Sequence, residues 1–477
     1  MKKKLLSALL SVAMVSTMLV GCGSTATTET ESAPAAEETA TTEAAATDEA
    51  TTDAAATTAS SEVTYKGDIE IMHYSTAEEE NSKNGGATAF RYAIGEWEAA
   101  HPDITLTQNV LSNNDYKDKI ATLAASDSLP DVFMLQGMNT ANWADQGLIL
   151  DLTDAIKNSP YYDKYTQSYF YAFTADDKQY AVPALTAGTC CQVLYNKEIF
   201  KAAGFDEFPE TWAELIAAQD KIKAQGVDYV MGFANGDAWQ ANSCFLSTLG
   251  DRFTGADWTY SLIENTGSKF TDEAFVNALT ATKDIFASGL FNPDFNSASQ
   301  QTGNDYYVSG QAASVICGNW DATYVYTNAD PELIAKTGIA VLPQPDGATA
   351  SQKTHDIGMG YGLAINPKVA EDPEKLAACL DLIYEITGPT FADYVAENFA
   401  LTGLTQTADV DLSAFDQFTQ DCYTFNENPG CEIYDSYIDS AVIGVLNQDV
   451  QAMLSGQMTP EEVAEETQAE YDSVYGN

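Results

Sequence analysis

The chain has 477 residues, with 70 Asp and Glu against 22 Lys and Arg and a formal charge of −48. So acidic a surface argues against nucleic acid or bare anionic lipid as partner and leaves a neutral or cationic ligand easier to accommodate. The eight cysteines show no CxxC spacing, and His73, His101 and His355 form no ligand pair such as HExxH, so no motif points to a disulfide framework, a metal site or a cofactor.

At the amino end, Lys2, Lys3 and Lys4 precede an apolar run from Leu5 that closes on Leu19-Val20-Gly21-Cys22. A basic start, an apolar segment short for a membrane span and small residues at its end predict an export signal over 1–21. Leu-Val-Gly-Cys resembles the lipobox of bacterial lipoproteins, which implies diacylation of Cys22 and a lipid-anchored, extracytoplasmic protein. The competing reading is an ordinary secretory signal with a chance cysteine. Residues 23–62 are Ala, Thr, Glu or Asp at 34 of 40 positions and hold no aromatic, Val, Leu or Ile, so they have nothing from which to build a core. We read 22–63 as the lipidated cysteine and a tether with an r.m.s. reach of roughly 35 Å.

The remaining 415 residues exceed what one hydrophobic core organises and predict two lobes or more. Asp68 to Tyr74 reads as a strand, and Phe90, Ile94 and Trp97 mark a helix face that stops at His101-Pro102. Ile104-Thr105-Leu106 is the next strand; Tyr116, Ile120 and Leu123 repeat the helical spacing, and Asp131 to Leu135 is a third, apolar strand. This alternation predicts a parallel sheet whose ligand loops follow the strands' carboxyl ends, at Ser75 to Glu80 and Gln136 to Asn139. Thr211 and Glu214 form a capping box ahead of Leu215, Ile216 and Ile222, with Gly226 as the stop. Further strands are expected near Ala181-Val182-Pro183, Ala313–Ile316, Gly338–Leu342 and Gly362–Ile365. The chain carries no repeat of fixed period.

Several segments recur in an order that resembles the extracellular solute-binding proteins of ABC importers, the sugar-binding group that includes maltose-binding protein. They are Leu129-Pro130-Asp131-Val132-Phe133, Ala144-Asp145-Gln146-Gly147-Leu148, Tyr180-Ala181-Val182-Pro183, and Leu194-Tyr195-Asn196-Lys197 running to Gly204-Phe205. Pro209-Glu210-Thr211-Trp212, Ser309-Gly310-Gln311 running to Gly318-Asn319-Trp320, and Tyr361-Gly362-Leu363 follow. The resemblance implies an α/β, two-lobed periplasmic-binding-protein fold with a hinge of several crossings and the ligand in the interlobe cleft. It places one lobe at 64–185 plus 346–403 and the other at 186–345 plus 404–477, with Leu342-Pro343-Gln344-Pro345 suited to a crossing.

A sugar offers apolar C–H faces and a ring of hydroxyls, so its pocket needs aromatic plates and side chains that donate and accept hydrogen bonds. By resemblance, Trp320 holds the family's glycine-x-tryptophan position, where the ring stacks on sugar, and Trp239 is a second cleft aromatic. Gln136, Asn139, Ser75, Glu79, Thr189 and Tyr361 are the implied polar contacts; Asp131 is expected to orient backbone instead. Each has a competing reading as a core or solvated residue. The implied function is a lipid-anchored, non-enzymatic component of a carbohydrate importer, a monomer that hands a mono- or oligosaccharide to the permease. A binding protein for another solute and a surface glycoside hydrolase, which would need two opposed carboxylates, are the rivals.

Overall fold

The structure is a computed structural model that describes residues 63–77, 85–184, 188–348, 355–398, 411–426 and 429–476. The export signal, Cys22, the tether as far as residue 62 and Glu79 lie outside the described residues. Strand β1 (Asp68–His73) turns Ile69 and Ile71 inward, and helix α1 (Gly85–Ala100) buries Phe90, Ile94 and Trp97 against it. Strand β2 (Thr105–Val110) follows, then α2 (Asn113–Ala125), capped by the Ser112 side chain and buried through Tyr116, Ile120 and Ala124. Strand β3 (Val132–Gln136) carries Phe133 and Leu135, both fully buried. Asp131, just before β3, accepts the Glu70 amide at 2.9 Å and pairs with Lys375 at 2.7 Å, which ties the strand ends together.

Strands β4 (Val182–Ala184), β5 (Gly188–Thr189) and β6 (Gln192–Asn196) come next, followed by α3 (Trp212–Lys223), whose Thr211–Glu214 capping box is formed on both sides. Then come β7 (Tyr229–Gly232), α4 (Ser247–Thr254), α5 (Gln300–Val308), β8 (Ala312–Cys317), α6 (Asn319–Asn328) and β9 (Thr337–Ala340). The chain continues through β10 (His355–Gly358), β11 (Tyr361–Ile365), α7 (Pro373–Thr387), β12 (Pro429–Glu432) and α8 (Ser440–Leu454).

These strands form two lobe sheets and a waist. The first lobe's sheet has the order β2-β1-β3-β11-β4. Its first three strands are parallel, as the strand–helix alternation predicts, but β11 runs antiparallel to both β3 and β4, so the whole is mixed. The second lobe's sheet is β9-β6-β8-β7, with β6 antiparallel to both neighbours and β8 parallel to β7. Each sheet has its own apolar core, one centred on Phe90, Phe133 and Leu363, the other on Phe200, Phe245 and Val442. Between them, β12, β10 and β5 form a three-stranded sheet from three passes of the chain. The Leu342–Gln344 stretch is held on the second lobe: Gln344 bridges to Thr211, and the buried Arg252 guanidinium donates to the carbonyls of Leu342 and Pro343 at 2.6 and 2.5 Å. All seven cysteines of the described residues are buried and unpaired, consistent with small apolar roles.

Leu363 is fully buried in β11, between β3 and β4. Leu363→Ala removes buried methyl groups and leaves a cavity, and is expected to cost about 2–5 kcal/mol. A denaturant titration checks this, and a change below about 0.5 kcal/mol, the size typical of surface positions, would contradict the described packing.

Candidate functional site

The loops after β1 and β3, the first turns of α2 and the start of β11 converge at one end of the first lobe's sheet. The turn after β3 is fixed by Gly137, where an added Cβ would lie 2.7 Å from the Ser436 carbonyl and 2.9 Å from the Ala172 Cβ. Opposite them stand the Asn235–Ser243 segment and the amino end of α6, both from the second lobe. They enclose a cavity of about 440 Å³, within the usual range for small-molecule sites.

Five of the eight residues singled out from the sequence line this cavity: Ser75, Gln136, Trp239, Trp320 and Tyr361. Asn139 and Thr189 are not among its lining residues. Asn139 is 9% exposed and sits in the short 3-10 turn that carries the chain away from Gln136. Thr189 is in waist strand β5, where its hydroxyl donates to the Asn426 amide oxygen at 2.6 Å. Tyr74, Asn113, Asn114, Lys117, Gln300 and Asp435 also face the cavity and escaped sequence reasoning.

The second lobe's wall is aromatic. Trp239 and Trp320 stand with ring centroids 6.0 Å apart and planes at 49°. Of the chain's six tryptophans these two line the cavity, while Trp97, Trp143 and Trp212 are buried in the lobe cores and Trp258 packs against one of them. Two glycines make room for Trp320. A Cβ on Gly318 would lie 2.2 Å from its Cζ2, and one on Gly188 would lie 3.1 Å from its Cε3. The glycine of the glycine-x-tryptophan spacing is therefore needed for space, since the ring folds back over it. The first lobe supplies a second aromatic pair, Tyr74 and Tyr361, with centroids 4.7 Å apart and the Tyr361 hydroxyl accepting from Asn113 at 3.4 Å.

Charge enters from three elements. Lys117 on α2 is half-buried; burial lowers the pKa of its ammonium, opposed by the carboxylates of Asp435 and Asp237. Asp435, beside the waist and 8% exposed, is pushed up to about 6 by burial, against the Ser243 hydroxyl that donates to it and the charge of Lys117. Asn114 donates to Asp237 at 3.1 Å and so links α2 of the first lobe to the second lobe's loop. Behind the tryptophans a void of about 20 Å³ is lined by Gln240, Gln300 and Asp321 among others, large enough for one water. Among the described residues no group of three or more His, Cys, Asp or Glu is arranged to hold a metal ion.

A cavity between two α/β lobes, with hydroxyl- and amide-bearing groups facing a tryptophan pair, has the form of a solute-binding cleft. Residues 81–383 match the family model described as bacterial extracellular solute-binding protein, and the chain belongs to that family. It is 26% identical over 241 residues, 49% of this chain and 52% of the other, to the diacetylchitobiose binding protein DasA of Streptomyces coelicolor. The chain spans 66% of the length of the curated relatives it matches first. Among solved structures, it resembles a chitin oligosaccharide binding protein with a TM-score of 0.73 and 22% identity, covering 86% of this chain and 100% of that one. It also resembles maltose-bound T. maritima MalE3, with a TM-score of 0.62 and 20% identity over 86% of this chain and all of the other. The fold is thus that of two-lobed solute-binding proteins. No helix among the described residues is long and apolar enough to cross a membrane.

Gly318→Ala is expected to push the Trp320 ring off its seat, because the contact is with the ring and the helix start leaves it no slack. Intrinsic fluorescence of the folded variant should show a red-shifted emission. A spectrum superimposable on the parent's would mean that Trp320 does not depend on Gly318.

Proposed function

We propose that the protein captures a mono- or oligosaccharide for an ABC importer. The observation that carries this reading is the pairing, in one interlobe cavity of about 440 Å³, of the Trp239–Trp320 wall with the amides of Asn113, Gln136 and Gln300. The indole faces suit the C–H faces of a pyranose, and the amides both donate and accept, as hydroxyls require. Binding starts on one lobe, and contacts across the cleft then favour the closed form, whose extra stability equals the ligand's preference for it. The closed form is what the permease would recognise. Cys22 carries the lipid anchor and residues 23–62 the tether, so capture occurs near one membrane and the tether sets the search volume. The protein acts as a monomer without covalent chemistry. The diacetylchitobiose-binding relative, the chitin-oligosaccharide-binding neighbour and the maltose-bound neighbour support the ligand class by analogy.

A thermal-shift screen with maltose, cellobiose, xylobiose, N,N′-diacetylchitobiose and their longer homologues tests the reading. A ligand at a hundred times its Kd stabilises the folded state by about 2.7 kcal/mol, so a true ligand raises the midpoint measurably. Trp320→Ala should then weaken that ligand at least about tenfold, equivalent to about 1.4 kcal/mol, with an unchanged far-UV spectrum. Unaltered affinity in Trp320→Ala would remove the stacking role. A panel of saccharides that leaves the midpoint fixed, with a peptide or polyol raising it, would replace the sugar by another solute.

A further inference from the structure

Resting on the carbohydrate reading of the cleft, we propose that Asn235 is a positioning residue: its side chain clamps a strained turn at Ala238 and so holds Trp239 on the ligand cavity. Five non-glycine residues among the described ones have a positive φ, and four of them, Asp127, Asp176, Asp177 and Asn265, are of the types whose short polar side chains make that region tolerable. The fifth is Ala238, at φ +66°, and it immediately precedes Trp239. Alanine has no side-chain hydrogen bond with which to offset the crowding of its Cβ in the left-handed region, so the turn is held from outside. Such strain clusters where function needs a fixed geometry, and here the next residue is one of the two indoles of the ligand wall.

Asn235 supplies the hold. It is fully buried, and each of its polar atoms is engaged. Its backbone amide donates to the Phe295 carbonyl at 2.6 Å, and its carbonyl accepts from the Ala238 amide at 3.1 Å and from the Gln451 side chain, on α8, at 2.7 Å. Across the turn its Oδ1 accepts the Ala241 amide at 2.9 Å, while its Nδ2 donates to the Asn296 Oδ1 at 2.7 Å, which fixes the side chain's orientation. Ala238 and Ala241 are thus tied to one residue, the first through its main chain and the second through its side chain, with Trp239 between the two ties. Gly236 leaves the turn no room to slide: its amide donates to the Ala298 carbonyl at 2.9 Å, and an added Cβ would lie 2.6 Å from that same oxygen.

The far side of Trp239 is irregular as well. Asn242–Leu246 form a π-helical turn that leads into α4, and the Trp239 carbonyl accepts both the Asn242 and the Ser243 amides, at 3.1 and 2.9 Å. A π turn takes in one residue more than an α-helical path, and one residue is about 100° around the axis, so the turn sets the rotation of what precedes α4, Trp239 included. Its side chains are pinned in that rotation. Asn242 donates to the Asn447 side chain at 3.0 Å and accepts from the Tyr434 hydroxyl at 2.8 Å, and the Ser243 hydroxyl donates to Asp435. Two departures from regular backbone therefore flank Trp239, and buried side-chain bonds hold each of them. Without the Asn235 side chain, Ala238 relaxes toward negative φ and the indole leaves its place 6.0 Å from Trp320. With glycine at 238 there is no strain to release, because glycine takes positive φ readily, and the turn keeps its shape with or without the clamp. Clamp and strain are therefore coupled, which a merely structural Asn235 would not produce.

The test is a double-substitution cycle on the intact protein, with Asn235→Ala, Ala238→Gly and the two combined. With fluorotryptophan incorporated, the fluorine resonance of Trp239 is identified as the one missing from Trp239→Phe. In the ligand-free protein this resonance should move toward the solvent-exposed position in Asn235→Ala and return to the parent's place in the double variant. Ala238→Gly alone should leave it in place and raise the urea midpoint, the unfolding constant falling about threefold. Calorimetric affinity for the saccharide that gives the largest thermal shift in the panel above should fall about tenfold in Asn235→Ala, recover to within about threefold of the parent in the double variant and change less than about twofold in Ala238→Gly. Asn296→Ala removes the group that orients the Asn235 amide and should act in the same direction, with the same rescue by Ala238→Gly, so the cycle is readable even where Asn235→Ala does not fold. No rescue of the resonance by Ala238→Gly, or an Ala238→Gly variant less stable than the parent, overturns the proposal. If no saccharide binds the parent the carbohydrate reading fails, and the ligand-free resonance and the urea midpoints still decide whether Asn235 holds Trp239.

Discussion

Everything about the cleft depends on the three short strands at the waist. The Cys190 amide donates to the Asp356 carbonyl at 3.0 Å and the Ile433 amide to the Ile357 carbonyl at 2.8 Å, so three passes of the chain, far apart in sequence, are bound into one sheet. Backbone pairing at this point joins the lobes without a rigid shared core, which is the arrangement a hinge needs. Side-chain packing there is close: a Cβ on Gly358 would lie 2.5 Å from the Ile433 Cδ1. Arg252 stands beside the waist and ties the second lobe to the stretch that leads toward it. It is 1% exposed, and its two bonds to the Leu342 and Pro343 carbonyls meet part of the cost of burying a guanidinium. Burial lowers its pKa, while Asp251 and Asp356 nearby favour its charged form; burial in turn pushes both of those carboxyls upward.

From that waist the cavity follows by geometry. Parallel strands β1 and β3 end at the same edge of the first lobe, so the loops beyond them present Ser75 and Gln136 to a common space, as open α/β sheets generally do. The second lobe meets them with a different kind of surface, two indoles backed by a buried carboxylate and its amides. One wall is therefore apolar and set by packing, and the other is polar and set by strand ends. Lys117, Asp237 and Asp435 stand where the walls meet. The Asn114–Asp237 hydrogen bond joins the two walls directly.

The fold was legible where a single periodicity governs a segment. Phe90, Ile94 and Trp97 lie on one helix face because the helix packs on one sheet, and the Thr211–Glu214 box marks a helix start by local chemistry alone. Trp320 was legible through its resemblance to the family's glycine-x-tryptophan position, and the structure gives that glycine a steric reason. Other residues that line the cavity were not, for physical reasons. Lys117 directly follows the buried Tyr116 and so reads as the flank of an amphipathic helix, when it points across a cleft that only the tertiary fold creates. Asp435 lies in a stretch without period, and its neighbour Ser243 is 192 positions away, with Lys117 further still. Asn139 does not line the cavity because the chain turns within three residues of β3, and Thr189 does not because its hydroxyl is taken by Asn426, 237 positions later. The mixed character of the first sheet was hidden too, since β11 inserts between β3 and β4 from much later in the chain.

Capture in this cleft requires that one ligand be held between both walls at once. Hydrogen exchange followed by mass spectrometry, with and without the saccharide that gives the largest thermal shift, tests this most directly. Added protection should appear together in the first turns of α2, in the Asn235–Ser243 segment and at the start of α6, with the distal helices unchanged. Protection confined to one lobe, or lying away from the cavity, would contradict the account.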